Sequence, residues 1–202
     1  MSPKTVDKEK KRRKILKATI KVFSDRGISG FKMIDVAKAA GIGKGTIYEY
    51  FASKEELIAG CFMAFMEDYG NFLVLELKKE SDPKKQIMNF FGVSLRYFAK
   101  HQKEMSIIFD FWAAAVPRKH GSPLVPGIEK AYAEFKKYVS AILDDGIGQG
   151  LFRKHDTETI ALMILGLIDS LMFQAVLGII DITDKTLPDK ISNTILKGIS
   201  NE

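Results

Sequence analysis

The sequence predicts an all-α protein: a small basic three-helix unit followed by a larger, more apolar helical body, about nine helices in all. Three observations carry this. Apolar residues recur at i, i+3, i+4 and i+7, the spacing that lines one face of a helix. Gly and Pro cluster between these periodic segments, at 27–30, 41–45, 117–127 and 146–150, where chain reversals are expected. No Asn-Gly or Asp-Gly pair joins two alternating runs; Asp145-Gly146 is followed by further glycine, not by a strand.

The first helix is predicted over about Asp7–Arg26, with Ile15, Ala18, Thr19, Val22 and Phe23 on one face and Gly27 as its stop. A short second helix covers Met33–Ala40, with Met33, Val36, Ala37 and Ala40 inward and Gly41 ending it. A third covers Lys44–Phe51. Ser53 caps a long fourth helix reaching about Lys79, with Glu56 three positions on as its capping-box partner. Asp82-Pro83 opens the next, with Asp as cap and Pro at the first helical position, and this helix runs to about Lys100. Further helices are expected at about 102–115, 128–145, 157–180 (capped by Asp156) and 187–199.

Charge divides the chain as the helices do. Residues 1–60 hold fourteen Lys/Arg and seven Asp/Glu, a net +7, while residues 61–202 hold seventeen and eighteen, a net −1. A basic block on an otherwise neutral chain suits a polyanion such as nucleic acid or anionic lipid. A single cysteine, Cys61, excludes an intrachain disulfide and a multi-Cys metal site, and its apolar neighbours predict a buried thiol. Ile160–Ile180 is long enough to span a bilayer, but Asp169, Ser170 and Gln174 interrupt it. An Asp at a bilayer centre costs roughly 2.5–3.5 kcal/mol. A helix buried against protein accounts for the same pattern, so no membrane partner is expected and the compartment is read as soluble and reducing.

The segment with functional content is Phe31-Lys32-Met33 through Tyr50-Phe51. Two short helices flank a turn built on Gly41, which can take a positive φ, and Ala37 is small where the helices must cross. Ile42, Ile47 and Phe51 supply the inner face of the second of them. This is the pattern of a helix-turn-helix, whose second helix enters the DNA major groove. Its outward residues suit that task. Lys44 offers charge to phosphate or to a guanine edge. Gly45 permits close backbone approach, and the hydroxyls of Thr46, Tyr48 and Tyr50 suit phosphate oxygens. Glu49 either accepts from a cytosine amino group or discriminates against other bases, and Lys54 sits where a helix start favours phosphate.

With its spacings, the run Ile15-Leu16-Lys17-Ala18 … Val22-Phe23 … Gly27 … Ile34-Asp35-Val36-Ala37 … Ala40-Gly41-Ile42 … Lys44-Gly45-Thr46-Ile47-Tyr48-Glu49-Tyr50-Phe51 … Ser53-Lys54-Glu55-Glu56-Leu57 resembles the TetR family of bacterial regulators over about 13–60. The resemblance implies a DNA-binding domain at 1–53 and an effector-binding and dimerisation domain at 54–202. It implies a cytoplasmic, nucleoid-associated homodimer on a double-stranded palindromic operator, with a small-molecule effector, regulating transcription and most often repressing it. The candidate DNA surface is Lys32, Met33, Gly43, Lys44, Gly45, Thr46, Tyr48, Glu49, Tyr50 and Lys54. Two positions depart from the family pattern: Lys32 stands where Thr is usual, and Gly43 where Ser is common.

Beyond residue 60 the resemblance is one of layout. The Phe- and Met-rich segments supply a candidate hydrophobic or aromatic effector site at Phe62, Phe65, Met66, Tyr69, Phe91, Phe98, Asp110 and Trp112; core packing accounts for the same side chains. The last two helices supply a candidate dimer interface at Leu162, Leu165, Asp169, Met172, Phe173, Val176 and Ile195. No cofactor or metal site is expected. His101, His120 and His155 are scattered, no nucleophile pairing is present, and no Gly-rich phosphate loop ends in Lys-Ser/Thr, so catalysis is not expected.

Overall fold

In a computed structural model the protein is described at residues 3–102, 104–105, 108–109 and 125–201. Among these residues the secondary structure is helical: α1 (Pro3–Gly30), α2 (Met33–Ala40), α3 (Lys44–Tyr48), α4 (Lys54–Leu77), α5 (Pro83–Lys100), α6 (Val125–Gly148), α7 (Thr157–Val176) and α8 (Leu187–Ile199). One isolated bridge pairs Phe152 with Ser200. The helix expected at 102–115 lies largely outside the described residues.

The described residues within Met1–Glu67 and Lys103–Glu129 form one compact unit, and those within Asp68–Gln102 and Lys130–Glu202 form another. Helices α4 and α6 contribute residues to both.

In the first unit α1 packs on α2, and α2 on α3. The inward stripe of α1 is Ile15, Leu16, Thr19, Val22 and Phe23. Leu16 replaces the expected Ala18, which is only half-buried. Thr19 is tolerated in this apolar stripe because its hydroxyl donates to the Ile15 carbonyl at 2.8 Å. Gly27 interrupts the helix with φ 70 and ψ 164, at the expected stop.

The start of α4 crosses α1 closely, and Gly60 is the reason. A Cβ there would lie 2.8 Å from Phe51 Cε1, 3.2 Å from Leu16 Cδ2 and 3.4 Å from Arg12 Nη2. Phe51 thereby becomes fully buried, with the Arg12 guanidinium 5.1 Å from its ring centre. Cys61, next along α4, faces the Leu16 carbonyl, and burial pushes its thiol up to about 12.

In the second unit α8 packs on α5, and α5 also meets α7. The predicted caps form: Asp82 accepts from Lys84 N–H at 2.8 Å, and Asp156 from Glu158 and Thr159 N–H at 3.1 and 3.3 Å. Helix α6 starts at Val125, earlier than expected. Helix α7 stops at Val176, ahead of Gly178, whose φ is 69. Ser192 of α8 donates to the Met88 carbonyl of α5 at 3.2 Å. By length and composition α4 and α7 are apolar enough to cross a membrane; half of α4's apolar stretch and a third of α7's are buried in the protein.

The Gly60 crossing sets the first prediction. Gly60→Val should destabilise the protein by about 1–3 kcal/mol through overpacking, read as a lower midpoint in urea unfolding. An unchanged midpoint would show that α1 and α4 have room to separate.

Candidate nucleic-acid interface and body site

The turn between α2 and α3 is built by backbone geometry. Gly41 adopts φ 66 and ψ 40; its N–H donates to the Lys38 carbonyl at 3.1 Å, and Ile42 N–H donates to the Ala37 carbonyl at 3.0 Å. This paired pattern closes a helix through one left-handed residue. At the other end of α2, Lys32 has no acceptor with which to cap. The Asp35 carboxylate instead accepts from Lys32 N–H at 2.9 Å, and its second oxygen pairs with Arg26 at 3.1 Å. Asp35 thus holds the start of α2 and ties it to α1.

Helix α3 is shorter than expected: Lys44–Tyr48, followed by turns in which Tyr50 and Phe51 N–H donate to the Ile47 carbonyl. Ile47 and Phe51 face inward and are fully buried. Lys44, Gly45, Tyr48 and Glu49 are exposed, as are Lys32 and Gly43; Thr46 and Tyr50 are half-buried. Two members of the candidate DNA set, Met33 and Lys54, have side chains engaged within the protein. Met33 is buried on the inner face of α2, so only its backbone, in the first turn, is available to a phosphate. Lys54 is half-buried, donating to the Phe31 carbonyl at 3.2 Å with its ammonium 4.3 Å from the Phe31 ring centre. Phe31 in turn packs against Phe23 of α1 at 4.6 Å. Lys54 therefore clamps the start of α4 onto the segment before α2. Ser53 Oγ accepts from Glu56 N–H, as a capping box requires, but the Glu56 carboxylate reaches Ala52 N–H rather than Ser53 N–H.

In the second unit Tyr69 is the centre of an aromatic cluster. Its ring lies 5.3 Å from Tyr97, 4.9 Å from Phe98 and 5.2 Å from Phe135, and its hydroxyl bonds Ser94 Oγ at 2.7 Å. Of the effector set, Tyr69 and Phe98 are brought together. Phe91 is fully buried against Phe90. Phe62, Phe65 and Met66 belong to the first unit, while Asp110 and Trp112 lie outside the described residues. Tyr97, Phe135 and Ser94 complete the cluster.

Asp169 has moved roles. Placed by its helix in the candidate dimer set, it accepts a short hydrogen bond from Tyr132 of α6. Burial pushes its carboxyl up to about 6, with the Tyr132 bond pulling partly the other way. The sequence signal was its standing as the only charged residue in Ile160–Ile180.

The rest of the dimer set divides by face. Leu165 and Met172 are buried inside the protomer, whereas Leu162, Phe173 and Val176 are exposed and Ile195 is half-buried. Met163, Leu177 and Ile179 extend this uncovered apolar surface. Met163, Gly166 and Leu167 of α7 and Ile195 and Gly198 of α8 line an apolar groove of about 650 Å³ along it.

Asp169 yields a pH prediction. Its folded carboxyl titrates above its unfolded value, so its contribution favours the fold below about pH 4 and is lost as pH rises through about 6. Asp169→Asn keeps an acceptor for Tyr132. It should raise stability at pH 8 by on the order of 2 kcal/mol, with the gain vanishing below pH 4; equal melting temperatures at both pH values would contradict this.

Residues 15–61 match the bacterial regulatory proteins of the tetR family. Over nearly full length the chain is 24% identical to the HTH-type transcriptional regulator PksA of Bacillus subtilis, covering 98% of this chain and 93% of that one. Its fold is similar to the fatty acid degradation regulator FadR of Bacillus halodurans, at 22% identity and a TM-score of 0.77 over 98% of this chain and 97% of the other. It is also similar to FadR of Bacillus subtilis in complex with stearoyl-CoA, at 22% identity and a TM-score of 0.69 over 92% and 95%. The helix-turn-helix segment and the full-length relatives agree: residues 15–61 carry the DNA-binding region of the tetR family of bacterial regulatory proteins, and over nearly its whole length the chain is similar to a transcriptional regulator.

Proposed function

We propose that the protein is a ligand-responsive repressor that binds a palindromic operator as a homodimer in the bacterial cytoplasm and is released by a small hydrophobic or aromatic effector. The observation that carries the DNA half is the outward face of α3, where Lys44, Gly45, Tyr48 and Glu49 stand exposed over buried Ile47. In this reading Lys44, Tyr48 and Glu49 read base edges or adjoining phosphates. Lys32, Thr46, Tyr50 and the backbone at Met33 and Gly43 hold phosphates, and Lys54 fixes the position of α4 while adding charge.

The exposed apolar face of α7 and α8 supports the dimer. A monomer that left Leu162, Met163, Phe173 and Leu177 in water would carry an aggregation-prone patch. A second copy related by two-fold symmetry covers it and pairs two α3 helices on half-sites about one DNA turn apart. Leu162→Glu combined with Phe173→Glu should give a monomer by sedimentation, with operator affinity reduced at least tenfold; a variant that stays dimeric would move the interface elsewhere.

The effector reading rests on the Tyr69 cluster of the second unit, with the half-buried carboxylate of Asp169 as its polar group, and it accords with the stearoyl-CoA bound by the similar FadR of Bacillus subtilis. Such an effector favours a conformation in which the α3 helices no longer fit the operator. By reciprocity, operator DNA weakens effector binding by the same factor.

The test is selection of binding sites from a random duplex pool, followed by titration across salt. A palindrome should be enriched, with log affinity falling steeply against log salt as several phosphates are neutralised. Lys44→Ala should weaken binding about tenfold and relax preference at one position per half-site. Enrichment of no sequence, with weak salt dependence, would refute the DNA reading.

A further inference from the structure

Helix α1 carries charge that the helix-turn-helix does not use. Residues 10–24 hold seven basic side chains and no acidic one. Four of them, Lys10, Lys14, Lys17 and Lys21, recur at i, i+4, i+7 and i+11, which aligns them in one narrow stripe. The stripe lies opposite Ile15, Leu16, Thr19, Val22 and Phe23, the face buried in the unit. All four lysines are exposed, and none has a carboxylate partner among the described residues. Arg13 differs: it pairs with Glu67 at 3.3 Å.

This arrangement works against the helix. Lys10/Lys14, Lys14/Lys17 and Lys17/Lys21 are like-charge neighbours at spacings where opposite charges would stabilise. A local conflict of this kind, with no ion pair to these lysines among the described residues, marks a surface shaped by a partner. At 1.5 Å per residue the stripe is about 16 Å long, a length over which a DNA duplex presents about ten phosphate charges. It adjoins the helix-turn-helix: Lys14 Nζ lies 4.0 Å from where a Cβ on Gly41 would stand. An anionic membrane is the less suitable partner, because surface-bound helices insert an apolar face, and here that face is buried.

We propose that the lysine stripe of α1 is a second DNA-contacting surface, binding phosphates of duplex DNA that flanks the base pairs read by α3, without sequence preference. The inference rests on the DNA-binding reading of α3, but its test separates the two. The full-length protein and a variant carrying Lys10→Gln, Lys14→Gln, Lys17→Gln and Lys21→Gln are titrated with two duplexes between about 50 and 200 mM salt. One duplex is the selected site alone; the other carries about 12 further base pairs of scrambled sequence on each side, roughly one helical turn.

The wild type should bind the longer duplex more tightly, with a salt slope steeper by about 0.9 for each added phosphate contact. The variant should lose that gain while keeping the same base preference, and should melt no lower than the wild type because like-charge pairs are gone. An equal gain from the flanks in both proteins overturns the inference. So does stripe-dependent binding to phosphatidylserine vesicles with no gain from flanking DNA. If selection enriches no sequence, the α3 reading fails, and the stripe is then judged on a random duplex of about four helical turns; equal salt slopes for the two proteins there overturn it as well. Lys14→Gln with Lys17→Gln, two changes at exposed positions, serves as the milder variant and should remove about half of the slope difference.

Discussion

The burial of Phe51 between α1 and α4 is the packing event on which the N-terminal unit depends. Phe51 ends the segment that carries α3, so where its ring sits fixes where the outward residues of α3 point. Its pocket exists only because Gly60 lets α4 approach Leu16 and Arg12. Around that contact the other fastenings are polar and local. Asp35 joins α2 to Arg26, Lys54 joins α4 to Phe31, and Gly41 reverses the chain between α2 and α3. A five-residue helix has little stability of its own. Here it is held by neighbours on the inner side and left with an unobstructed outer face.

The second unit handles polarity differently. Tyr69 and Ser94 satisfy each other inside an aromatic cluster, and Ser94 Oγ also reaches the Phe90 carbonyl at 2.7 Å. That keeps hydroxyls in the interior without orphaned donors. Asp169 is less comfortable, since desolvation works against its ionised form. A carboxylate in such a place lowers stability at neutral pH, as groups retained for binding often do. Its neighbours on α7 divide cleanly: Leu165 and Met172 turn inward, and Leu162 and Phe173 turn outward. One helix thus serves the core on one side and presents an apolar surface on the other, which explains why its sequence reads as hydrophobic nearly all round.

Much of this was legible in the residues themselves. Helix starts at Asp82-Pro83 and Asp156, the turn at Gly41, the stop at Gly27 and the buried thiol of Cys61 follow from short-range chemistry: a side chain meeting its own or a nearby backbone group, or a small apolar group in an apolar run. The outward set on α3 was readable for the same reason, because helical periodicity separates Ile47 from Lys44, Gly45 and Tyr48. Periodicity also aligns the lysines of α1.

What the sequence by itself determined, then, is the helical class, the helix-turn-helix and its exposed residues, all products of contacts within a few positions along the chain. Tertiary structure alone decided the rest. It drew Lys54 onto Phe31 and Asp169 onto Tyr132, partners 23 and 37 residues away. It turned Met33 inward, and it sorted the uniformly apolar α7 into a buried and an open face. A hydrophobic side chain carries no record of which neighbour covers it, and a charged one carries no record of its distant partner. Those choices are made when helices pack.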